Sequence, residues 1–166
     1  MSKFDYYTII PNYSTHATTL VTSTIEEINQ CEQQLHFNFE EDYKTYIQQY
    51  GEGLLGGTYI RIYPPMRIIA EQEEWLKRIT EYFFWEDGKE VLTKEQVQEA
   101  ICIGDTFDGD EIIFYQEQYY VLPRYEENIY LLGQNLYNAI EWLCNSGTLT
   151  EAFAERQFEP FNEAKS

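Results

Sequence analysis

Apolar positions recur along this chain with two different periods, and the switch between them divides it. Residues 1–22 show neither period and admit a strand, a wrap-around arm or a mobile lead. Thr24 followed by Glu27 forms a capping box, and Ile25, Ile28, Cys31 and Leu35 then recur at helical spacing, so a first helix is predicted there. A second begins near Asn38 to Glu40 with acids in its first turn, carries Tyr43, Tyr46, Ile47 and Tyr50 on one face, and stops at Gly51. GEGLLGG, residues 51–57, is predicted as a loop, and TYIRIY, residues 58–63, alternates as a half-buried strand ended by Pro64 and Pro65. From about Arg67 a third helix places Ile68, Ile69, Trp75, Leu76 and Ile79 together, while Glu71, Glu73 and Glu74 face water. EYFFWEDGKE resists assignment; beyond it Thr93 and Gln96 cap a short helix carrying Val97.

At residue 101 the period becomes alternating. ICIGD, EIIFY, YYVLP and NIYLL read as four short strands with turns at Asp108-Gly109, Gln116 to Gln118 and Glu126 to Asn128, and links this short require antiparallel pairing. Leu136, Ala139, Ile140, Leu143 and Cys144 return to helical spacing, with Gly147 as the stop, and Thr148 with Glu151 predicts a last short helix under Phe153. The expected class is α+β: an antiparallel sheet of about five to six strands with helices packed against it. A length of 166 residues suits one domain, 1–166, without repeat or linker.

Composition narrows the function classes. The chain holds 29 acidic against 11 basic residues, a formal net charge of −18, so direct contact with nucleic acid or an anionic membrane is not expected. Aromatics make up 17%, enough ring surface to drive collapse, which separates it from disordered acidic chains. The opening MSKFDYYTIIPNY lacks a secretory profile and no apolar run approaches a membrane span, so a cytoplasmic location is expected.

Catalytic and metal chemistry find no foothold in the motifs. Cys31, Cys102 and Cys144 are widely spaced without a C-x-x-C, and His36 near Cys31 lacks the second half of a zinc site, so neither metal nor disulfide framework is expected. No GxSxG occurs, and the Gly-rich loop leads into a strand rather than a phosphate-binding helix. DTFDGDE, residues 105–111, lacks the distal Glu of a calcium loop and reads as a hairpin with exposed acids. From 99 to 127, however, eight acids face one base, Arg124, and tyrosines at 115, 119, 120, 125 and 130 are interleaved with them. That pattern predicts a binding face for a basic protein, with Asp105, Asp108, Asp110, Glu111, Glu117, Tyr119, Glu126 and Glu127 as its candidate residues. A small-ligand or carbohydrate site using exposed rings such as Trp85 and Tyr63 is a further possibility.

Three strings carry a family resemblance: FNFEEDYKTYIQQYGEG, ICIGDTFDGDEIIF with Gly104, Gly109 and Asp110, and LLGQNLYNAIEWLC. Together, over about residues 24–145, they resemble the SUKH superfamily, which includes the Smi/Knr-type regulator of fungal cell-wall glucan synthesis and many bacterial toxin-immunity proteins. Glu40 stands where that family often has Pro, and Glu52 interrupts its usual Asn-Gly-Gly. Residues 1–22 and 80–98 look like an extension and a variable insertion. The resemblance implies a fold without catalytic residues or cofactor that acts by binding proteins. The implied roles are an immunity protein masking a basic, nuclease-like toxin, or a regulatory scaffold of the cell-wall type.

Overall fold

The computed structural model describes residues 1–56, 59–82 and 85–161. Strand β1 is Thr8–Ile9; α1, Ile25–Leu35, and α2, Glu41–Gln49, follow, then strands β2, Gly53–Leu55, and β3, Ile60–Ile62. Helix α3 runs Pro65–Glu81 and α4 Lys94–Gln98, with a single 3-10 turn at Glu86–Gly88 between them. Strands β4, Ile101–Thr106, β5, Glu111–Tyr115, β6, Gln118–Leu122, and β7, Tyr130–Gly133, lead to α5, Leu136–Asn145, and to β8, Gln157–Pro160.

Local chemistry explains where these elements start and stop. Thr24 and Glu27 form the reciprocal capping box of α1, and Thr93 and Gln96 that of α4. Pro65 occupies the first turn of α3, where its missing N–H costs nothing, so this helix starts two residues before the Arg67 that the apolar spacing marks. Gly51 lies at φ +80° just past α2, and a Cβ there would sit 2.0 Å from the Val21 carbonyl oxygen. The incoming arm crosses at that point, pairing Val21 with Gly51, so only glycine fits.

The α+β class holds, but the sheet is larger than five to six strands and is not purely antiparallel. Eight strands pair in the order β1-β8-β2-β3-β4-β5-β6-β7, with β1 parallel to β8 and every other neighbour antiparallel. Three pieces account for the difference. Part of the expected loop is β2, the unassigned arm contributes β1, and the stretch beyond the expected last helix contributes β8, while residues 148–156, where Thr148 and Glu151 predicted that helix, form none. Strands of two, three and four residues are too short to display alternation. They are held by partners distant in sequence: Phe158 of β8 is fully buried against the Tyr46 and Tyr50 rings, and the Asn12 amide donates to the Pro160 carbonyl at 2.8 Å.

Both faces of the central strands are covered. Ile62, Gly104, Ile112, Val121 and Tyr130 stand in register on one face, where Phe114 and Tyr119 meet Phe37 and Glu40 from the α1–α2 side. The sheet tyrosines 115, 119 and 120 are therefore buried, and Tyr125, in the loop after β6, is exposed. No helix among the described residues is long and apolar enough to cross a membrane.

The two hairpin turns differ from each other. Thr106 and Asp110 close a three-residue loop in which only Gly109 has positive φ (+93°), so Asp108-Gly109 is not a two-residue primed turn. Gln116 and Glu117, at φ +46° and +64°, do form a two-residue primed turn between β5 and β6, without a glycine. Holding non-glycine residues left-handed costs roughly 1 kcal/mol apiece. Replacing the pair by Asn-Gly is expected to raise unfolding stability by about 1–2 kcal/mol in urea titration. Gly109→Val, whose Cβ would press 2.9 Å from Arg124 Cδ, is expected to lower it by more than about 1 kcal/mol in the same measurement.

Candidate functional site

Strand register sets one row of charge across the sheet. Arg61 pairs with Asp105, Asp105 with Glu111 and Glu111 with Leu122, and directly opposed residues share a face. Arg61 Nε and Nη2 donate to the two Asp105 oxygens at 3.0 and 2.7 Å, and the Tyr63 hydroxyl adds a third bond at 2.9 Å. Arg78, near the end of α3, reaches across to grip Glu111 at 2.6 and 3.3 Å. Each is a two-point guanidinium–carboxylate pair, the strong form of an ion pair, moderated here by partial solvent access.

Beside this row lies a cleft of about 740 Å³. Its floor is the Asp105–Glu111–Leu122 row, and Arg78, Tyr82, Trp85, Arg124, Glu126 and Glu127 wall it. Trp85 is half-buried, and its Nε1 donates to the Pro123 carbonyl at 2.7 Å, tying the α3–α4 connection to the β6–β7 loop. The Asp110 carboxylate steadies that loop and the hairpin together, accepting from the Thr106 hydroxyl at 2.8 Å and the Arg124 backbone N–H at 2.9 Å. Glu126 accepts from the Tyr130 hydroxyl and the Asn128 amide, so it is oriented without being neutralised.

The eight candidate residues separate by position. Asp105, Glu111, Glu126 and Glu127 come together around the cleft, the first two already paired with arginine. Asp108 is exposed at the neighbouring hairpin, and Glu117 is exposed at the other end of β5. Asp110 and Tyr119 lie beneath the surface, 3% and 1% exposed, with every named bond spent inside the fold. Tyr63, expected as an exposed ring, is buried: its hydroxyl serves Asp105 and the Arg67 guanidinium lies 4.1 Å over its ring. The three thiols are buried as well; burial pushes Cys31 and Cys144 up to about 12 and Cys102 well above its usual range, so all stay protonated and poorly nucleophilic near neutrality. Among the described residues no group of three or more His, Cys, Asp or Glu is placed to hold a metal ion.

Glu40 is the important residue that sequence pattern did not single out. Its Oε2 accepts the Asp42 N–H at 2.6 Å, and its Oε1 accepts the Tyr43 N–H at 3.3 Å, the Tyr119 hydroxyl at 2.7 Å and the Leu136 N–H at 3.0 Å. One carboxylate thus caps α2, reaches the first turn of α5 and anchors β6. Asp42 repeats the link by accepting the Tyr137 N–H at 3.3 Å. The signal available was the departure at Glu40 from the family's Pro, immediately before an acidic first turn.

Burial raises the Glu40 pKa, outweighing the opposing hydrogen bonds from Tyr119 and the Asp42 N–H. A raised folded value contributes stability fully present below the ordinary carboxylate range and lost as pH rises through the folded pKa. Relative to Glu40→Gln, the unaltered chain is therefore expected to gain stability on acidification through that window. Paired thermal melts from about pH 7 to pH 4 check the sign, because other groups titrate alike in both. Glu40→Ala, which strips the caps, is expected to cost about 2–4 kcal/mol at neutral pH.

A model of the SMI1-KNR4 cell-wall family, SUKH_5, matches residues 8–127, from β1 through the loop that carries Glu126 and Glu127. The matched segment includes the cleft floor and all its wall residues. Among curated proteins none matches the chain. Proteins of the matched family generally serve as non-enzymatic protein-binding regulators or immunity modules. With most of its length under that match, and an α+β fold around it, the chain belongs to the SMI1-KNR4 cell-wall family.

Proposed function

We propose that this chain is a non-enzymatic protein-binding module that recognises a basic protein, most specifically as an immunity protein neutralising a cationic, nuclease-like toxin. The carrying observation is where the few bases go. Arg61, Arg67, Arg78 and Arg156 each bind a carboxylate of the same chain, as do Lys3, Lys44 and Lys89. Exposed acids such as Glu73, Glu74, Glu90, Glu95, Glu99, Asp108, Glu117 and Glu127 form no ion pair among the described residues. What water and partners meet is therefore strongly negative, a field that speeds encounter with cations and repels polyanions. A nuclease cleft must be positive to hold its substrate, so an acidic module can occupy the same field.

The family's cell-wall description favours a second reading, a regulatory scaffold that recruits enzymes of its own cell. Co-expression with the product of the adjacent reading frame separates the two. The immunity reading expects a stable complex, survival of cells that otherwise die, and an affinity that falls at least about tenfold between roughly 0.05 and 0.5 M salt. A toxin from that frame that neither binds nor is neutralised overturns it.

A further inference from the structure

We propose that the 740 Å³ cleft seats an arginine side chain from an extended segment of the basic partner, its guanidinium stacked on Tyr82 and hydrogen-bonded by Glu127 and Glu126. The inference rests on the protein-binding reading and adds the place where the partner's charge enters.

Charge at the cleft points to a cation. Of its basic lining residues, Arg78 is held at two points by Glu111, and Arg124 lies 5.5 Å over the Tyr125 ring. Asp105 on the floor is likewise matched, by Arg61. Among the described residues Glu127 has no ion pair and is exposed, Glu126 is held by neutral groups, and Asp108 stands unpaired next to the lining residue Gly109. The unspent charge around the cleft is thus mostly carboxylate: among the described residues Arg124 is the one lining base free of an acid, and the neighbouring Lys94 ammonium is given to the Tyr82 carbonyl.

Ring geometry narrows the cation to guanidinium. Tyr82 is 57% exposed and its side chain makes no hydrogen bond among the described residues, while its backbone accepts from Lys94 and donates to the Arg78 carbonyl. A planar guanidinium stacks on such a ring and still donates sideways in a fork to carboxylates, which an ammonium cannot do. Trp85, fixed through Pro123, and the buried Leu122 give the cleft an apolar wall and floor against which the aliphatic stem can lie. The volume exceeds one side chain, so flanking residues of the segment enter too. Of the other cavities, one of about 540 Å³ shares Glu40, whose oxygens the fold consumes, and one of about 240 Å³ is much smaller than this cleft.

The test titrates the isotope-labelled full chain with N-acetylated tri-arginine amide, tri-lysine amide and tri-glutamate at low salt, following backbone amides and the Trp85 indole N–H by NMR. Expected are saturable shifts from Leu122 to Glu127 and at Trp85 with tri-arginine, weaker ones with tri-lysine and none with tri-glutamate. Tyr82→Ala and Glu127→Gln are each expected to weaken tri-arginine about five- to tenfold, whereas Glu117→Gln, the same charge change on an acid outside this cleft, changes it less than about twofold. Shifts spread over every acidic surface, equal effects of the two Glu→Gln variants, or tri-glutamate seated in the cleft would each overturn the proposal. A basic partner protein that binds Tyr82→Ala and Glu127→Gln as tightly as the unaltered chain removes the cleft from the interface while leaving the protein-binding reading intact. Tri-arginine seated as described, with no basic protein partner bound, overturns that reading and not the cleft.

Discussion

A single half-buried carboxylate joins the two halves of this fold. Helix N-termini leave backbone N–H groups without partners, and α2 and α5 bring theirs to the same place, where Glu40 answers both and also holds the Tyr119 hydroxyl of β6. Burying a carboxylate is costly, and its raised pKa expresses that cost. The convergence of four donors offsets it. The position of α5 against the sheet, and of β6 against α2, follows from where that one side chain can reach. Asp42, tied to Lys3 at 3.0 Å and to the Tyr137 N–H, extends the same junction to the N-terminal arm.

A second constraint is scarcity of positive charge. With 11 bases against 29 acids, each internal ion pair removes a cation that could have screened the surface. The fold spends arginine on Asp105 and Glu111 of the sheet and on Glu141 of α5, and leaves acids such as Glu73, Glu74 and Glu81 exposed along α3. Internal pairing and outward polarity are therefore linked: the arginines that match the sheet's acids are not there to offset the exposed ones. The cleft lies where these regimes meet, with matched pairs at its base and unmatched acids at its mouth.

Elements long enough to show a period were legible from the residues alone. The capping boxes at Thr24 and Thr93, the stripe of α5 and the alternation of β4 to β6 all rest on contacts between near neighbours. β1, β2 and β8 were not legible, because two to four residues cannot display a period and their pairing depends on segments more than a hundred positions apart. Four acids of the cleft were named from charge density, but density does not say which acids meet an arginine, so the matched state of Asp105 and Glu111 was hidden. Nor does alternation reveal that a sheet is covered on both sides, which is why Tyr63 and Tyr119 proved buried. Part of the EYFFWEDGKE stretch, residues 83 and 84, falls outside the described residues.

The placement of β8 bears on how the chain reaches its folded state. The meander β4 to β7 zips between adjacent segments, and such closures are entropically cheap. β8, last in chain order, inserts between β1 and β2, the earliest strands, and delivers Phe158 into a socket of tyrosine rings. Until it docks, β1 has no partner in the sheet and β2 presents a bare edge beside an unfilled aromatic hollow. Without that insertion the sheet keeps its meander but leaves a sticky flank open, so β8 is the latch that ties one end of the chain to the other.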